Sequence, residues 1–339
     1  MSLTPRFTRN AGRLAAVATA GALLLPLFTS TPAHADPRQV TSSLAAVGSD
    51  TTQEIINALQ GESAGTYYTP LATDAATGRT QILSWNALPP AGTDGNTLTC
   101  VQTKIGGASF NRPNGSSQGR RALSRAIDGT NYGDATCGPA TGKPVSGLVD
   151  LARSSAGPSG GDTGTALTYV PFGRDGLGYA YYATGSATPI TDFTKAELAA
   201  IWGSSGTGFD VRGTHVIPCQ IQSGSGTRSA WQGALGVADA TMETAGTQCK
   251  NAGNGINLEE NKPTELKAKG DAIGGNNEYV VGMSAAVFVA MSRGASPSFL
   301  ASGVDLGSIS NNGSGTNLGK PYTGSGSSAA ASSSYYNDA

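Results

Sequence analysis

Four short loops rich in serine, threonine and glycine lie where predicted strands end or predicted helices begin, and they constrain the fold more than any other feature. They are residues 48–52, 115–119, 153–155 and 223–228. The last loop follows the alternating apolar run 215–221 and precedes a helix-forming segment at 230–235. A strand that passes through such a loop into a helix is the repeating unit of α/β folds.

Each of these loops has the chemistry of a small anion site. The first N–H groups of a helix have no partner within it, the helix dipole places partial positive charge there, and glycine lets a ligand approach the backbone. A single loop of this kind is equally an ordinary helix cap. In open α/β sheets, however, ligands bind beyond the carboxyl ends of the strands. We therefore expect the four loops to meet around one oxyanion in a pocket between two halves of the molecule.

Hydrophobic periodicity predicts strands and helices along the whole chain. The predicted strands are residues 39–47, 81–85, 98–105, 145–152, 167–172, 176–183 and 215–221. The predicted helices are residues 53–59, 120–127, 194–202 and 230–235, with a weaker one at 257–269. Thr51 and Glu54 have the spacing of a capping box. The apolar runs 279–283 and 285–289 indicate either two buried strands or a crossing between lobes.

The first 35 residues have the layout of a secretory signal peptide. Three arginines precede the apolar segment 14–28, and the small-residue site Ala33-His34-Ala35 precedes Asp36. The apolar segment is too short to predict a membrane span. We expect a secreted mature chain that begins at Asp36 and carries no lipid-anchor cysteine near the cleavage site.

Charge argues against some classes of partner. Removal of the signal peptide takes three of the 22 basic residues and none of the 23 acidic ones, which leaves 19 against 23 and a net charge of −4. A nucleic acid or an anionic membrane is therefore not the expected partner. No Walker-type phosphate loop occurs, so we expect no nucleotide cofactor.

The four cysteines all follow the signal peptide, and an even count in an exported protein favours disulfides. The simplest of the three pairings joins Cys100 to Cys137 and Cys219 to Cys249. A metal site is the competing interpretation. It is disfavoured because no Cys-x-x-Cys occurs and His215 is the only histidine of the mature chain.

In motif order, nearly the whole mature chain resembles the substrate-binding proteins of phosphate ABC transporters. The loop Gly48-Ser49-Asp50-Thr51-Thr52 is similar to that family's first anion loop, and Gly115-Ser116-Ser117-Gln118-Gly119 is similar to its second. Arg153-Ser154-Ser155 stands in the place of its Ala-Ser-Asp loop, and Ser225-Gly226-Thr227 matches its Ser-Gly-Thr loop. The resemblance implies an α/β, two-lobed type 2 periplasmic-binding-protein fold with a central ligand cleft.

The resemblance also implies a ligand, a partner and a set of ligand residues. The ligand would be a small oxyanion, with phosphate first, and the partner an ABC permease. We expect a monomer. The predicted ligand residues are Ser49, Asp50, Thr51, Thr52, Ser116, Ser117, Arg153, Ser154, Ser155, Ser225, Gly226, Thr227 and Arg228.

Two positions depart from the family pattern. The arginine expected shortly before Ser-Gly-Thr is replaced by Ile221, so Arg228 or Arg153 would have to supply the charged donor. The carboxylate of the Ala-Ser-Asp loop, which accepts the proton of hydrogen phosphate, is absent at Ser154 and Ser155. Asp50 is the nearest substitute.

The lobes are predicted as residues 36–172 with 290–323, and residues 173–289. Hinges are expected near Gly173–Asp175 and at 279–285, and the Ser-rich tail 324–339 is expected to be disordered.

Two other functional classes remain open. One is a secreted surface or interaction protein without a transport role, and the other is a secreted hydrolase. Gly61-Glu62-Ser63-Ala64-Gly65 satisfies the nucleophile-elbow pattern, but it follows a predicted helix instead of a strand. Since His215 is the only candidate base, Ser-His-Asp catalysis is the weaker of the two alternatives.

Overall fold

A computed structural model describes residues 36–37, 43–63, 66–67, 81–88, 99–158, 167–171, 173–250 and 257–337. The predicted signal peptide at 1–35 lies outside these ranges. Within them, no helix has both the length and the apolar character needed to cross a membrane. The described residues form a first lobe, residues 43–158, and a second lobe, residues 173–337, and each lobe is built on its own sheet.

The described residues of the first lobe form nine short strands and two helices. Its strands are β1 Leu44–Gly48, β2 Glu62–Ser63, β3 Thr66–Tyr67, β4 Ile82–Ser84, β5 Cys100–Val101, β6 Phe110–Asn111, β7 Asn131–Tyr132, β8 Lys143–Pro144 and β9 Leu151–Arg153. Its helices are α1 Gln53–Gln60 and α2 Ser116–Asp128. Strands β4, β1 and β9 form a parallel sheet in that order, with Leu44 opposite Ile82 and Ala46 opposite Leu151.

The central strand β1 is almost wholly apolar, and its side chains enter the core of the first lobe with Trp85, Phe110 and one face of α2. Two glycines let α2 lie close to the sheet. A Cβ on Gly119 would lie 2.7 Å from the Cα of Gly48, and Gly48 itself has a φ of 112°. This close contact holds the first turn of α2 beside the carboxyl end of β1.

The second lobe contains the remaining elements. Its strands are β10 Leu177–Ala183, β11 Asp192–Thr194, β12 Phe209–Val211, β13 Thr214–Cys219, β14 Asn277–Ser284, β15 Asp305–Leu306, β16 Ser308–Asn311, β17 Tyr322–Thr323 and β18 Ala330–Ala331. Its α-helices are α3 Lys195–Trp202, α4 Gly226–Leu235, α5 Asp239–Ala245, α6 Pro263–Ile273, α7 Ala285–Ser292 and α8 Ser333–Asn337. Two 3₁₀ turns span Gly246–Cys249 and Gly326–Ser328.

The main sheet of the second lobe has the order β12-β13-β14-β10-β15. Strands β13 and β14 are parallel, so both carboxyl ends reach the same edge, whereas β10 runs antiparallel to β14 along its full length. On one side, Trp202 of α3 and Trp231 of α4 pack edge to face with ring centroids 5.4 Å apart. The predicted cap of α3 is confirmed, because Thr194 and Glu197 form a complete capping box.

Both predicted disulfides are present, Cys100–Cys137 in the first lobe and Cys219–Cys249 in the second. The second bond ties the end of β13 to the turn at Gly246–Cys249. The loop 220–228 therefore starts from a cross-linked strand end.

Beyond residue 158 the chain differs from expectation in three places and agrees with it in a fourth. The run 285–289 is the helix α7 and not a strand, because Ser284 caps it by accepting a hydrogen bond from the Val287 N–H at 3.1 Å. Residues 305–311, expected in the first lobe, pair through β15 and β16 with β10 and β11 of the second. The run 279–283 lies inside the buried strand β14, which confirms the first of its two predicted alternatives. No strand is present at 167–171.

The tail expected to be disordered is ordered through Asn337. Strand β18 pairs with β17, and the side chain of Tyr335 is buried against the second lobe. Its hydroxyl donates to the Leu177 carbonyl at 2.6 Å. The Ser and Ala content of this segment predicted disorder, but one buried tyrosine and a short strand pair dock it.

Candidate functional site

The three predicted loops of the first lobe meet at the carboxyl edge of its sheet. Ser49 follows β1, Ser155 follows β9, and Ser116 begins α2. The Ser49 hydroxyl donates to Ser155 Oγ at 3.3 Å, and the hydroxyls of Ser116 and Ser155 lie 3.2 Å apart. Ser116 Oγ also accepts the Ser155 N–H at 3.1 Å. Three hydroxyls from separate parts of the chain thus form one continuous group.

The fourth loop reaches this group from the second lobe. The hydroxyls of Thr51 and Thr227 lie 3.1 Å apart, and the Ser117 N–H donates to the Gly224 carbonyl at 3.0 Å. Gly226 is the first residue of α4, and a Cβ there would overlap the hydroxyls of Ser116 and Ser155. The absence of a side chain at Gly226 therefore allows the two lobes to touch.

Thr51 does not cap α1 as predicted. The N-cap residue is Thr52, without a side-chain cap bond, while Thr51 Oγ1 faces Thr227 and accepts from Asn261 Nδ2 at 3.1 Å. Thr51, whose spacing from Glu54 predicted a local cap, instead makes a contact between the lobes. Thr52 Oγ1 is buried, and no described residue hydrogen-bonds to it.

A fifth segment, Glu259-Glu260-Asn261, also enters the site and was missed by sequence reasoning. Asn114 Nδ2 donates to both carboxylate oxygens of Glu259 at 3.2 Å, which adds a further contact between the lobes. Asn261 has a φ of 60°, a conformation that non-glycine residues rarely adopt and that is concentrated at functional sites. The only local signal was Pro263, which begins α6 and moves its start beyond this segment.

The site is acidic. Burial first, and then the neighbouring carboxylates of Glu260 and Glu259, hold the pKa of Asp50 well above its ordinary value, and Lys262 opposes this. Burial also raises the pKa of Glu259, against the hydrogen bond from Asn114. A carboxyl group held protonated here donates a hydrogen bond, whereas an ionised one accepts.

Arg153 does not present a free donor to the cleft. Its five guanidinium N–H groups point at protein acceptors within 3.1 Å, namely Ser49 O, Ala46 O, Ser84 Oγ, Gly48 O and Trp85 O. Burial lowers its pKa to about 10. The side chain therefore holds the loop after β1 in place, which argues against the ligand role expected for it.

Arg228 is also committed elsewhere. It donates to the Ile221 carbonyl at 2.8 Å and to the carboxylates of Asp239 and Glu243 at 2.5 and 3.0 Å. Ser225 Oγ donates to Glu260 and accepts the Arg228 N–H at 3.0 Å, which caps α4. Arg153 and Arg228 were the two candidates to replace the arginine expected before Ser-Gly-Thr. Neither guanidinium group donates a hydrogen bond to the hydroxyls of Ser49, Ser116 and Ser155.

Ser154 forms a local turn and contacts an arginine that sequence reasoning did not single out. Its hydroxyl donates to the Ala156 carbonyl at 2.7 Å and accepts from Arg120 Nη1 at 3.3 Å. Arg120 belongs to the second turn of α2 and is buried. It is the cation that approaches the 153–155 loop from the α2 side.

His215 lies at the other end of β13 from the loops. Its Nδ1 is 2.6 Å from Asp210 Oδ1 and its Nε2 is 2.8 Å from the Thr207 carbonyl. Ser63 lies in β2 directly after α1, which is not the strand–turn–helix setting of a nucleophile elbow. Neither residue belongs to the group of hydroxyls described above.

Comparisons with known proteins add little. No family model and no curated protein matches the chain. Among solved structures, the chain is similar to a protein from Clostridium perfringens assigned as a phosphate ABC transporter substrate-binding protein, solved with bound phosphate. The TM-score is 0.40 and the identity 13%, over 79% of this chain and 75% of that chain. A similarity of this size carries no argument about function.

Proposed function

We propose that the protein is an extracellular solute-binding protein that holds a small tetrahedral oxyanion, with inorganic phosphate the first candidate, in the cleft between its lobes. One observation carries this proposal. Hydroxyls from four distant loops form three pairwise contacts of 3.1 to 3.3 Å, Ser49 with Ser155, Ser116 with Ser155 and Thr51 with Thr227, where strands end and helices α2 and α4 begin. Neutral donors at helix starts are the arrangement that binds desolvated anions.

The carboxyl groups of Asp50 and Glu259 favour an anion that carries a proton over one that does not. An ion without a proton, such as sulfate, would be repelled by the carboxyl groups of Asp50 and Glu259 once they ionise. Hydrogen phosphate brings a proton that a carboxylate oxygen accepts. Within this proposal the ligand set consists of the hydroxyls of Ser49, Thr51, Thr52, Ser116, Ser117, Ser155 and Thr227, the backbone of Gly226, and the Asp50 carboxyl group. An ABC permease would receive the ligand.

Titration calorimetry with phosphate, sulfate, molybdate and a phosphate monoester tests the proposal. Binding of phosphate should raise thermal stability, by about 2.7 kcal/mol at 100 times the dissociation constant. Thr227→Val removes a hydroxyl with little change of shape and should weaken phosphate binding by about 1–3 kcal/mol. Thr241→Val, at an exposed position of α5, is the matched control.

The result also separates the alternatives. If none of the four anions gives a heat of binding or stabilises the protein, the oxyanion role is excluded. The surface or interaction protein then remains. Turnover of the phosphate ester that disappears in His215→Ala would indicate a hydrolase instead.

A further inference from the structure

Two carboxyl groups from opposite lobes, each with a buried oxygen, lie at the junction of the loops. Asp50 belongs to the loop after β1, and Glu260 belongs to the segment before α6. The residues that follow them in the chain are hydrogen-bonded, because Asn261 Nδ2 donates to Thr51 Oγ1 at 3.1 Å, and Glu260 acts electrostatically on Asp50. Asp50 Oδ1 and Glu260 Oε1 are both buried, and no donor among the described residues reaches either oxygen. The other oxygen of Glu260 accepts the Ser225 hydroxyl.

Glu260 is held rigidly in this position. The residue is 1% exposed, its N–H donates to Gln222 Oε1 at 2.7 Å, and its neighbour Asn261 is fixed by the Ser284 N–H and by Thr51. The side chain of Glu260 therefore has no route to solvent while the lobes are in contact.

The surroundings do not neutralise two negative charges. The charged groups around the pair are Glu259, Lys262, Arg153 and Asp175, with Glu54 and Arg112 near Arg153. Three of these six groups are carboxylates, and the donors of Arg153 are already used by backbone carbonyls and Ser84. Burial and the neighbouring Glu260 disfavour the ionised form of Asp50, and one shared proton would give each orphan oxygen a partner.

We propose that Asp50 and Glu260 share a single proton across the cleft and that this proton latches the two lobes, so that closure is favoured at low pH and released as pH rises. The latch acts on the closing motion alone, whichever ligand the cleft takes, and Glu260 is a positioning residue in that motion.

The lobes are built to separate without disrupting their cores. The hydrophobic clusters of the described residues lie wholly in one lobe or the other. The junction consists instead of hydroxyls, backbone groups and carboxyl groups. A polar interface of this kind permits domain motion.

The sign and size of the effect follow from one-proton linkage. In the open form Asp50 is solvated and ionises at its ordinary pKa, while in the closed form burial and Glu260 raise the pKa. Between these two values the closed form holds a proton that the open form has lost. Each rise of one pH unit in this window therefore lowers the ratio of closed to open molecules by up to about tenfold.

Small-angle X-ray scattering between pH 5 and pH 9, in chloride buffer without added oxyanion, tests the latch. The radius of gyration of the native protein should rise with pH. In Glu260→Gln the amide donates to the Asp50 carboxylate at every pH, so the variant should stay compact. Asp50→Asn should behave in the same way, since its amide donates to Glu260. Glu278→Gln is the control, because this buried carboxyl lies at the opposite end of β14 from Ser284 and should leave the response unchanged.

Circular dichroism at each pH confirms that every variant is folded. A radius of gyration in the native protein that is constant across the range would overturn the latch. So would the full native response in both Glu260→Gln and Asp50→Asn. Because no oxyanion is added, failure of the latch is distinct from failure of phosphate binding.

Discussion

The substitution Gly226→Ala isolates the contact between the lobes from the stability of either lobe. Gly226 is the first residue of α4 and has ordinary right-handed helical geometry, so alanine fits its backbone. Alanine is in fact the better helix former, by up to about 1 kcal/mol. The added methyl group points out of the second lobe and into the 153–156 loop of the first.

The size of the effect follows from what the methyl group meets. It would overlap the hydroxyls of Ser116 and Ser155, which can rotate, and it would lie 3.0 Å from the backbone nitrogen of Ala156, which cannot. Closure then requires the loop to retreat, at the usual overpacking cost of about 1–3 kcal/mol. Alternatively, the lobes separate and lose the Thr51–Thr227 and Ser117–Gly224 hydrogen bonds, worth about 1–3 kcal/mol together. Either route should lower the ratio of closed to open molecules by roughly 5- to 150-fold.

The assay compares Gly226→Ala with Gly233→Ala. Gly233 belongs to the same helix, and a Cβ there would meet nothing within 4 Å. Scattering at pH 5 should show an expanded molecule only for Gly226→Ala, and phosphate affinity should fall only for that variant. Urea unfolding should show that neither variant loses stability in the second lobe. If the two variants have the same radius of gyration and the same affinity, the loops do not meet as described.

Three further predictions concern stability. Arg153→Lys should lower the free energy of unfolding by at least about 3 kcal/mol, because lysine cannot replace five hydrogen bonds; unchanged urea unfolding with lost phosphate affinity would return Arg153 to the ligand set. Burial raises the pKa of Glu278 to about 7, so the native form keeps a proton that the unfolded chain releases. Stability should therefore fall by about 3 kcal/mol as pH rises from about 4.5 to 7. In Glu278→Gln, unfolding measured across this range should show a flatter slope, and an unaltered slope would contradict the assignment. Replacing Cys219 and Cys249 with alanine removes a cross-link between residues 30 positions apart. The free energy of unfolding should fall by about 3–4 kcal/mol, and an unchanged midpoint in guanidinium unfolding would contradict this.

Sequence patterns predicted the local units well where several signals agreed. The helices at 53–60, 116–128 and 195–202, and the change from β13 to α4, all lie where periodicity and flanking hydroxyl residues indicated. The run 285–289 was predicted wrongly because a short, fully apolar segment has no period that distinguishes a buried strand from a buried helix. The serine cap at Ser284 was the local signal that decided the matter.

The remaining errors come from side chains whose partners are distant in sequence. Thr51 has the correct spacing to cap α1, yet its hydroxyl faces Thr227 and Asn261, and Asn261 is 210 positions away. Rules based on local sequence consider only the capping hydrogen bond within α1. The hydrogen bonds of Thr51 to distant residues can form only after the lobes have folded and come into contact. Arg153 was misjudged for the same reason, because its carbonyl partners are brought together by the sheet.

The pairing of Asp50 with Glu260 is the extreme case of this limit. Like charges repel, so no rule based on local sequence predicts that two buried acidic side chains will lie in contact. In the proposed latch a proton lies between them, at a junction where Asp50 Oδ1 and Glu260 Oε1 are buried and the other oxygen of Glu260 accepts the Ser225 hydroxyl. The hydroxyl loops that sequence identifies therefore create the low-dielectric setting in which an unforeseen acid pair becomes a link between the lobes. The meeting of the four hydroxyl loops could be predicted from the chain, whereas a response to pH depends on the folded lobes.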